Sequence, residues 1–506
     1  MDSFLLYRDS SIGGKKSYPF PRDIIKDFNL DVLFKTMARG DELLLAAAKK
    51  VMMIPLQTPE EIAYRQEIIE DFYAHPGLLS DLLEVAMEQH RKLHIFKEEM
   101  DKNRTKSVKK TSEIIEKLTY LKQGQEAFAR LREILEYYQE RMQSEGLVAF
   151  YHRLCDAPVD EILQKLNDMD FFVNGGEVGY TLQFGGGLKI REATVNYCIN
   201  QETRKTQSKQ GKWQQFYLKY VKRNTMIYRN NEMLENDIEQ LKESTMLQML
   251  ALFHNYLEDM MHFYEQFALE MAFYKGVLQF WKRMEEMSIR LCKANPQPVG
   301  SRETSFHKLY ELTMAIYVQK MPVGNSLTLP DMVQTLITGA NQGGKSTFLR
   351  SYGIALLLMQ CGMPVPAYKF SAPIYKQIFT HFSRREDEHL SSGRLREELK
   401  RMSEMVSVAE SGSIFLLNES FASTTEKEGA KIAKGILQAF YEKGISVVMV
   451  THLFQLSKEL YQQKLPGVEF LIAERKADGE RTYRMLPGEP EYTSYGTDLF
   501  KVLEEV

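Results

Sequence analysis

The sequence predicts a multidomain protein in which a mainly α-helical N-terminal region precedes an α/β domain. In residues 1 to about 295, apolar residues recur at helical spacing, and glycine and proline are sparse. After Asn295-Pro296, short apolar runs alternate with helix-like stretches. That alternation is typical of parallel strands joined by crossover helices. The length of 506 residues fits about two to four domains rather than one core.

Helical periodicity in the first half covers Asp41 to Val51 and Glu60 to Phe96. One block, from Gly175 to Gly187, is different because it is rich in glycine and alternates in a strand-like way. The apolar members of the alternation are Tyr180, Leu182 and Phe184. We therefore predict a small β excursion inside the helical region.

The stretch from Thr225 to Arg290 contains almost no helix breakers. Its apolar residues recur at helical spacing: Met246, Met249, Leu250, Phe253, Leu257, Met260 and Phe263. Long helices that project or act as levers have this pattern, and so does an ordinary buried helix pair. The periodicity alone does not distinguish the two.

Three short apolar runs are the predicted strands of the second half: Thr335 to Thr338, Ile414 to Leu417 and Ser446 to Val450. The first leads into Gly339-Ala340-Asn341-Gln342-Gly343-Gly344-Lys345-Ser346, which matches GxxxxGK[ST] at every fixed position. Glycines let backbone N–H groups turn inward around an anion, and the helix that follows adds its positive N-terminal dipole. The motif predicts ATP binding.

Each residue of this loop has an expected contact with nucleotide. Lys345 is expected to reach the β- and γ-phosphates, and Ser346 to give its hydroxyl to Mg²⁺. The expected ATP-binding set is Gly339, Ala340, Asn341, Gln342, Gly343, Gly344, Lys345, Ser346 and Thr347.

The other two predicted strands also end in polar residues. Asn418-Glu419 follows one of them, where an acidic pair is usual: the first residue supports Mg²⁺ and the second orients or deprotonates the attacking water. Asn418 can still accept a hydrogen bond from a metal-bound water but carries no charge. Thr451-His452 follows the other strand, and we expect His452 to sense the γ-phosphate.

Together these residues resemble the ATPase domain of the MutS family. The matching segments run from Pro322 to Gly496: PVGNSL, TGANQGGKST, the GxxVPA turn and IFT strand, NESFASTTEKEG, THLFQL and a closing Ser494-Tyr495-Gly496. DFNLDVLF and the Arg65-Gln66 pair are more weakly similar to the family's core. The resemblance implies an ABC-like P-loop ATPase that binds ATP and Mg²⁺, and DNA enclosed by a homodimer with composite ATP sites.

The same resemblance implies a division into four segments. Residues 1–100 are a first helical core part, and residues 101–223 a helical, clamp-like region containing the small β segment. Residues 224–295 form long lever helices, and residues 296–506 the ATPase domain.

Three departures from the family pattern affect the expected function. The tetrapeptide Glu70-Asp71-Phe72-Tyr73 looks like the Phe-x-Glu wedge of mismatch readers, but Ala74 stands where the wedge needs Glu. We assign it to helix packing, so wedge insertion is not supported. In HLSSGRLREELKRM, Leu395 stands where the mismatch-repair type carries Ser, and Glu398 is the candidate acidic position. The third departure is Asn418.

The overall charge does not indicate a nucleic-acid partner, because the formal net charge is only -3. DNA contacts must therefore come from local basic patches. The densest patch interleaves cations with Trp213, Phe216, Tyr217 and Tyr220. Its candidate phosphate contacts are Arg204, Lys205, Lys209, Lys212, Lys219, Lys222 and Arg223. A solvated basic helix face explains the patch equally well, and a second run, Lys102 to Lys110, is expected to be solvated only.

Composition sets the expected compartment. The four cysteines, Cys155, Cys198, Cys292 and Cys361, contain no CxxC pair, which argues against a zinc ribbon or disulfide framework. With no apolar stretch long enough to span a bilayer, we expect a cytoplasmic protein that does not enter membranes.

The leading hypothesis is an ATPase, slowed by Asn418, that acts as an ATP-gated clamp on duplex or branched DNA without wedge-type mismatch reading. One alternative is a nucleotide-gated binding scaffold with little hydrolysis. Another is a P-loop ATPase that acts on RNA or protein.

Overall fold

The computed structural model describes residues 3–8, 14–104, 110–173, 177–184, 190–199, 232–383, 393–476 and 480–491. The chain divides into two compact units. One contains the described residues of Ser80–Arg141 and Ala149–Ala268, and the other those of Phe4–Leu79, Met142–Val148 and Leu269–Val506.

The helices of the described residues are, in chain order, α1 (Pro21–Asp27), α2 (Asp31–Ala38), α3 (Glu42–Met52), α4 (Pro59–Ala74), α5 (Pro76–Arg104), α6 (Lys110–Tyr138), α7 (Glu145–Asp156), α8 (Val159–Val173), α9 (Glu232–Glu286), α10 (Leu312–Val318), α11 (Lys345–Gln360), α12 (Arg394–Val408), α13 (Glu426–Glu442) and α14 (Phe454–Gln463). The strands are β1 (Glu177–Phe184), β2 (Ile190–Ile199), β3 (Asn295–Gln297), β4 (Thr304–Leu309), β5 (Asn325–Leu329), β6 (Gln334–Thr338), β7 (Lys369–Pro373), β8 (Ile378–Phe382), β9 (Ile414–Asn418), β10 (Ser446–Val450), β11 (Val468–Arg475) and β12 (Arg481–Pro487).

Local sequence explains where several helices begin. Asp41 accepts hydrogen bonds from the N–H groups of Leu43 and Leu44 and so caps α3. Thr58 caps α4 by accepting from the Glu61 N–H, and Pro59 follows at the first helical position, where its missing N–H costs nothing.

The unit that contains most of the first half is helical with one hairpin. Strands β1 and β2 pair antiparallel, which confirms the predicted β excursion. The long breaker-free stretch forms α9, one continuous helix of 55 residues rather than a helix pair. Aromatic side chains of α9 pack in the core of this unit; for example, Phe263 lies 4.8 Å from Phe128 between ring centroids. The Tyr264 hydroxyl donates to the Gly124 carbonyl of α6 at 2.6 Å.

The second unit contains two sheets. In the six-stranded sheet the order is β12-β11-β6-β10-β9-β8, with β11 to β8 parallel and β12 antiparallel at one edge. The predicted runs at β6, β9 and β10 are therefore confirmed as neighbouring parallel strands. The four-stranded sheet has the order β3-β7-β4-β5. A helical region followed by an α/β domain with mixed sheets is the fold class that the sequence predicted at the coarse level.

Helix α4 is packed within this unit, which confirms that Phe72 is a packing residue. Phe72 is buried and meets the Tyr274 ring edge-on at 5.1 Å. The Asp71 carboxylate accepts from the N–H of Ser144 at 2.8 Å and from the N–H of Gln143. These contacts hold the end of α4 in place and leave no exposed wedge at this point.

Arg65 on α4 is the largest fully buried side chain of the described residues. Its guanidinium donates to the Leu6 carbonyl at 2.6 Å and 3.1 Å and to the Cys361 carbonyl at 3.1 Å. It also lies over the Tyr7 ring, 4.8 Å from the centroid. One cation thus ties α4 to the N-terminal segment and to the end of α11, the helix that begins at the glycine-rich loop.

We predict that Arg65→Met lowers the stability of this unit by about 3 kcal/mol, because buried carbonyl oxygens lose their donors. The thermal unfolding midpoint in differential scanning calorimetry measures the effect. Arg22→Met, at an exposed position of α1, removes the same group and is the matched control. Equal midpoints for the two variants would contradict the inference that buried Arg65 stabilises the unit by linking α4 to the N-terminal segment and the end of α11.

Candidate functional site

The glycine-rich loop joins the carboxyl end of β6 to the start of α11. Gly339 has φ of +116° and Gly344 has φ of +91°, conformations that L side chains rarely adopt. A Cβ on Gly339 would lie 2.9 Å from the backbone nitrogen of Ala473 on β11, so the close approach of the neighbouring strand also requires glycine there. Gly344 is the N-cap of α11, which directs the unbonded first N–H groups of that helix toward the loop.

Lys345 is folded back over this loop. Its ammonium donates to the carbonyls of Gly339 at 2.6 Å and Ala340 at 3.0 Å, and the residue is only 4% exposed. Burial lowers the pKa of Lys345 to about 8, although the negative charge of Glu419 opposes the shift. The ammonium is therefore poorly compensated by the protein, and an anion at the loop would stabilise its charge.

The two residues expected at the metal are in direct contact. The Ser346 hydroxyl donates to Asn418 Oδ1 at 2.7 Å. Both groups offer the hard oxygen atoms that Mg²⁺ prefers, and Mg²⁺ commonly takes its remaining ligands from phosphates and water. Within the described ranges, no three His, Cys, Asp or Glu side chains are grouped so that they could hold a metal by themselves. The pair fits a Mg²⁺ ion that arrives with a phosphate ligand.

The predicted catalytic pair is also brought together. Val450 is in register with Asn418 in the parallel β9–β10 pair, so the residues that follow these strands emerge side by side. His452 Nε2 lies 3.0 Å from Glu419 Oε1 in a hydrogen bond. The His452 contact, reinforced by the charge of Lys345, lowers the pKa of the Glu419 carboxyl despite partial burial. Glu419 is thus held ionised, as an acceptor of protons must be.

A cavity of about 570 Å³ opens beside these groups. The loop from Asn341 to Thr347 and Glu419 line one part of it. The other part has a mostly apolar wall made of Tyr310, Met314, Val318, Met321, Val323 and Tyr483. Pockets for small ligands usually have this volume and this mixture of apolar lining with a few polar groups.

Two residues of β12 lie at the loop although no sequence pattern predicted them there. Arg481 donates to Gln342 Oε1 at 2.8 Å, and Tyr483 flanks Gly344, where an added Cβ would lie 3.4 Å from the Tyr483 Cβ. The antiparallel β11–β12 pairing brings this strand to the loop, although it lies more than a hundred residues downstream. Asn325, within the PVGNSL segment, accepts from the Met485 N–H at 2.7 Å and also lines the cavity.

Models of known protein families match both halves of the chain. The model of MutS domain V matches residues 335–504, and the model of the MutS2 N-terminal domain matches residues 57–287. The chain belongs to the MutS family. The glycine-rich loop, Asn418, Glu419 and His452 all lie inside the part that matches MutS domain V.

Individual relatives cover a smaller part of the sequence. The chain is 33% identical over 182 residues to a DNA mismatch repair protein MutS from Thermotoga neapolitana, covering 35% of this chain and 22% of that protein. It is 31% identical over 199 residues to an endonuclease MutS2 from Thermus thermophilus, covering 38% and 26% respectively. The match thus spans about a quarter of these relatives' own length.

Some predicted residues lie outside the described part of the chain. These are the candidate DNA contacts from Arg204 to Arg223 and the closing Ser494-Tyr495-Gly496 element. None of the helices in the described ranges is long and apolar enough to cross a membrane.

The depressed pKa of Lys345 generates a prediction for this MutS-family site. Above about pH 8 the free site loses the Lys345 proton, whereas bound phosphates raise the pKa again, so ATP binding must take up a proton. Affinity for ATP should then weaken by up to about tenfold per pH unit as pH rises above that value.

Isothermal titration calorimetry at about pH 8.5 to about pH 9.5, in two buffers of different ionisation enthalpy, measures the proton uptake. Lys345→Arg stays charged throughout this range and is the matched control, for which no uptake is expected. Uptake that is zero in the wild type, or equal in both proteins, would show that Lys345 is not the titrating group.

Proposed function

We propose that this chain is an ATPase that binds ATP in the cavity beside the glycine-rich loop and couples its nucleotide state to DNA binding. The observation that carries the proposal is the convergence of Lys345, Ser346, Asn418, Glu419 and His452 at one edge of the parallel strands. These are the groups that phosphoryl transfer to water requires: a phosphate cradle, metal ligands, a proton acceptor and a γ-phosphate contact. Membership of the MutS family supports the same reaction.

Each part of the cavity has a proposed role. The N–H groups of Gly343, Gly344 and the first turn of α11 bind the phosphates, and Lys345 swings from the loop carbonyls to the β- and γ-oxygens. The apolar wall around Tyr310 and Val323 receives the flat base. Ser346 and Asn418 are the residues that would hold Mg²⁺, and the ion would neutralise developing charge on the phosphates.

Glu419 is the proposed general base. Its carboxylate orients the attacking water and accepts a proton, and His452 holds that carboxylate through the 3.0 Å hydrogen bond. We propose that His452 also contacts the γ-phosphate and senses its loss. The neutral Asn418 leaves one negative charge fewer around the metal than an acidic pair provides, so we propose slow hydrolysis.

A second candidate function follows from the same Asn418. A site with an amide in place of a metal-binding carboxylate is suited to a nucleotide-gated scaffold in which ATP binding matters and hydrolysis is negligible. The two functions predict different effects of a Glu419 substitution on ATP turnover.

The first test is therefore Glu419→Gln. For an ATPase, turnover should fall by about a hundredfold because the proton acceptor is lost, with ATP affinity retained through the loop. Single-turnover release of radiolabelled phosphate and equilibrium binding of ATP measure the two quantities. Glu442→Gln, at the end of α13, is the control for an exposed carboxylate of the same chemical type. Unchanged turnover in Glu419→Gln would favour the scaffold.

We further propose that the partner is duplex or branched DNA. In this proposal two copies of the chain form a homodimer with composite ATP sites, and ATP gates the closing of this clamp around the DNA. No wedge residue is inserted to read mismatches. Coupling between two ligands is reciprocal, so ATP must change DNA affinity by the factor by which DNA changes ATP affinity. The family match and the basic segment from Arg204 to Arg223 support the proposal.

Filter binding of perfect, mismatched and four-way-branched DNA and of RNA, with and without ATP and over a salt series, tests this partner. Changing Lys209, Lys212, Lys219 and Lys222 to Gln should reduce the salt slope by about 0.9 for each phosphate that is no longer neutralised. The matched control changes Lys102, Lys106, Lys109 and Lys110 to Gln. A preference for RNA, or ATP turnover and affinity indifferent to every DNA form, would exclude the DNA clamp.

A further inference from the structure

The turn that follows β9 is strained at the proposed general base, Glu419, and again two residues later. Glu419 has φ of +54° and Phe421 has φ of +65°, and both carry a Cβ. Such conformations are unfavourable for residues with a Cβ and persist only where the surroundings impose them. Glu419 donates its N–H to the Val450 carbonyl at 2.9 Å, which fixes the first residue of the turn but not the rest.

A buried carboxylate from another element fixes the middle of the turn. Glu398 lies on α12 and is 7% exposed. Its Oε2 atom accepts from the Phe421 N–H at 3.1 Å and from the Ser423 hydroxyl at 3.0 Å. Hydrogen bonds to an ionised acceptor are about twice as strong as neutral ones, so this carboxylate is a strong restraint on the turn.

His381 on β8 fixes the residue between Glu419 and Phe421. The Ser420 hydroxyl oxygen lies 2.7 Å from His381 Nδ1 and 2.9 Å from the His381 main-chain oxygen. His381 Nε2 lies 3.3 Å from the Glu398 main-chain oxygen, so the imidazole bridges the turn and α12. Both His381 and Ser420 are buried, which makes each of these polar contacts costly to remove.

Helix α13 closes the turn from another direction. A Cβ on Gly429 would lie 2.6 Å from the Phe421 carbonyl oxygen, so the helix backbone packs directly on the turn. The Phe421 ring is fully buried and stacks on His381 with centroids 5.9 Å apart. The backbone after Glu419 is therefore held by α12, β8 and α13 together.

We infer that Glu398 and His381 are positioning residues that hold the Ser420–Ser423 turn and, through it, hold the Glu419 carboxylate against His452. A displacement of α12 is then transmitted to Glu419 through Glu398. This inference rests on the proposed role of Glu419 as general base.

Glu398→Gln is the direct test because it removes the charge and nearly preserves the shape. We expect the hydrolysis rate constant to fall by about ten- to a hundredfold, as displacement of a reacting group by up to about 1 Å does. ATP affinity should stay within about twofold, because Glu398 is not among the residues that line the cavity. Glu404→Gln, an exposed carboxylate on the same helix, is the matched control and should leave both quantities unchanged.

The decisive measurement is the double variant Glu398→Gln with Glu419→Gln. If Glu398 acts through Glu419, single-turnover hydrolysis by the double variant equals that of Glu419→Gln alone, because the group being positioned is already absent. Effects that multiply would mean a general structural role and would overturn the inference. Ser423→Ala, which removes one donor to Glu398 at a partly exposed residue, should give a smaller loss in the same direction and serves if Glu398→Gln does not fold.

The outcomes distinguish a failure of the positioning role from a failure of the proposed function. Full activity in Glu419→Gln would remove the proposed function itself. A large loss in Glu419→Gln together with full activity in Glu398→Gln and in Ser423→Ala would remove only the positioning role.

Discussion

Parallel pairing of β6, β10 and β9 is the constraint on which the rest of the site depends. Parallel strands place their carboxyl ends at the same edge, so the residues after each strand meet although more than a hundred positions separate the first from the last. That edge brings the glycine-rich loop, Asn418-Glu419 and Thr451-His452 together. The apolar interior of the strands has no direct chemical role; it fixes where the polar ends emerge.

At this edge, the charged side chains affect the stability of one another's charged forms. Burial destabilises the Lys345 ammonium, whereas the Glu419 carboxylate is stabilised by His452 and Lys345. A site of this kind favours an incoming polyanion, because phosphate oxygens stabilise the buried Lys345 ammonium without requiring the Glu419 carboxylate to be protonated. The neutral Asn418 fits the same arrangement, since it binds the Ser346 hydroxyl without adding a further negative charge.

The backbone behind the site is restrained as well as the side chains within it. The turn after Glu419 adopts unfavourable backbone angles that Glu398, His381 and Gly429 impose from three different elements. Strain held in this way fixes a side chain more tightly than a relaxed loop does, because alternative conformations would leave buried polar groups unpaired. Elsewhere in the same unit, Arg65 ties the end of α11 to α4, so both ends of the loop-following helix are anchored.

The sequence by itself determined the local chemistry of this protein: the glycine-rich loop, its strand and helix, the polar strand ends and the β excursion. These follow from short-range rules, since backbone conformation, periodicity and motif spacing act within a few residues. Only the tertiary structure decided that Arg481 and Tyr483 reach the loop, and that Glu398 and His381 hold the turn behind Glu419. Those contacts join residues on elements far apart in sequence, and their partners are defined by sheet order and helix packing, which no local pattern records.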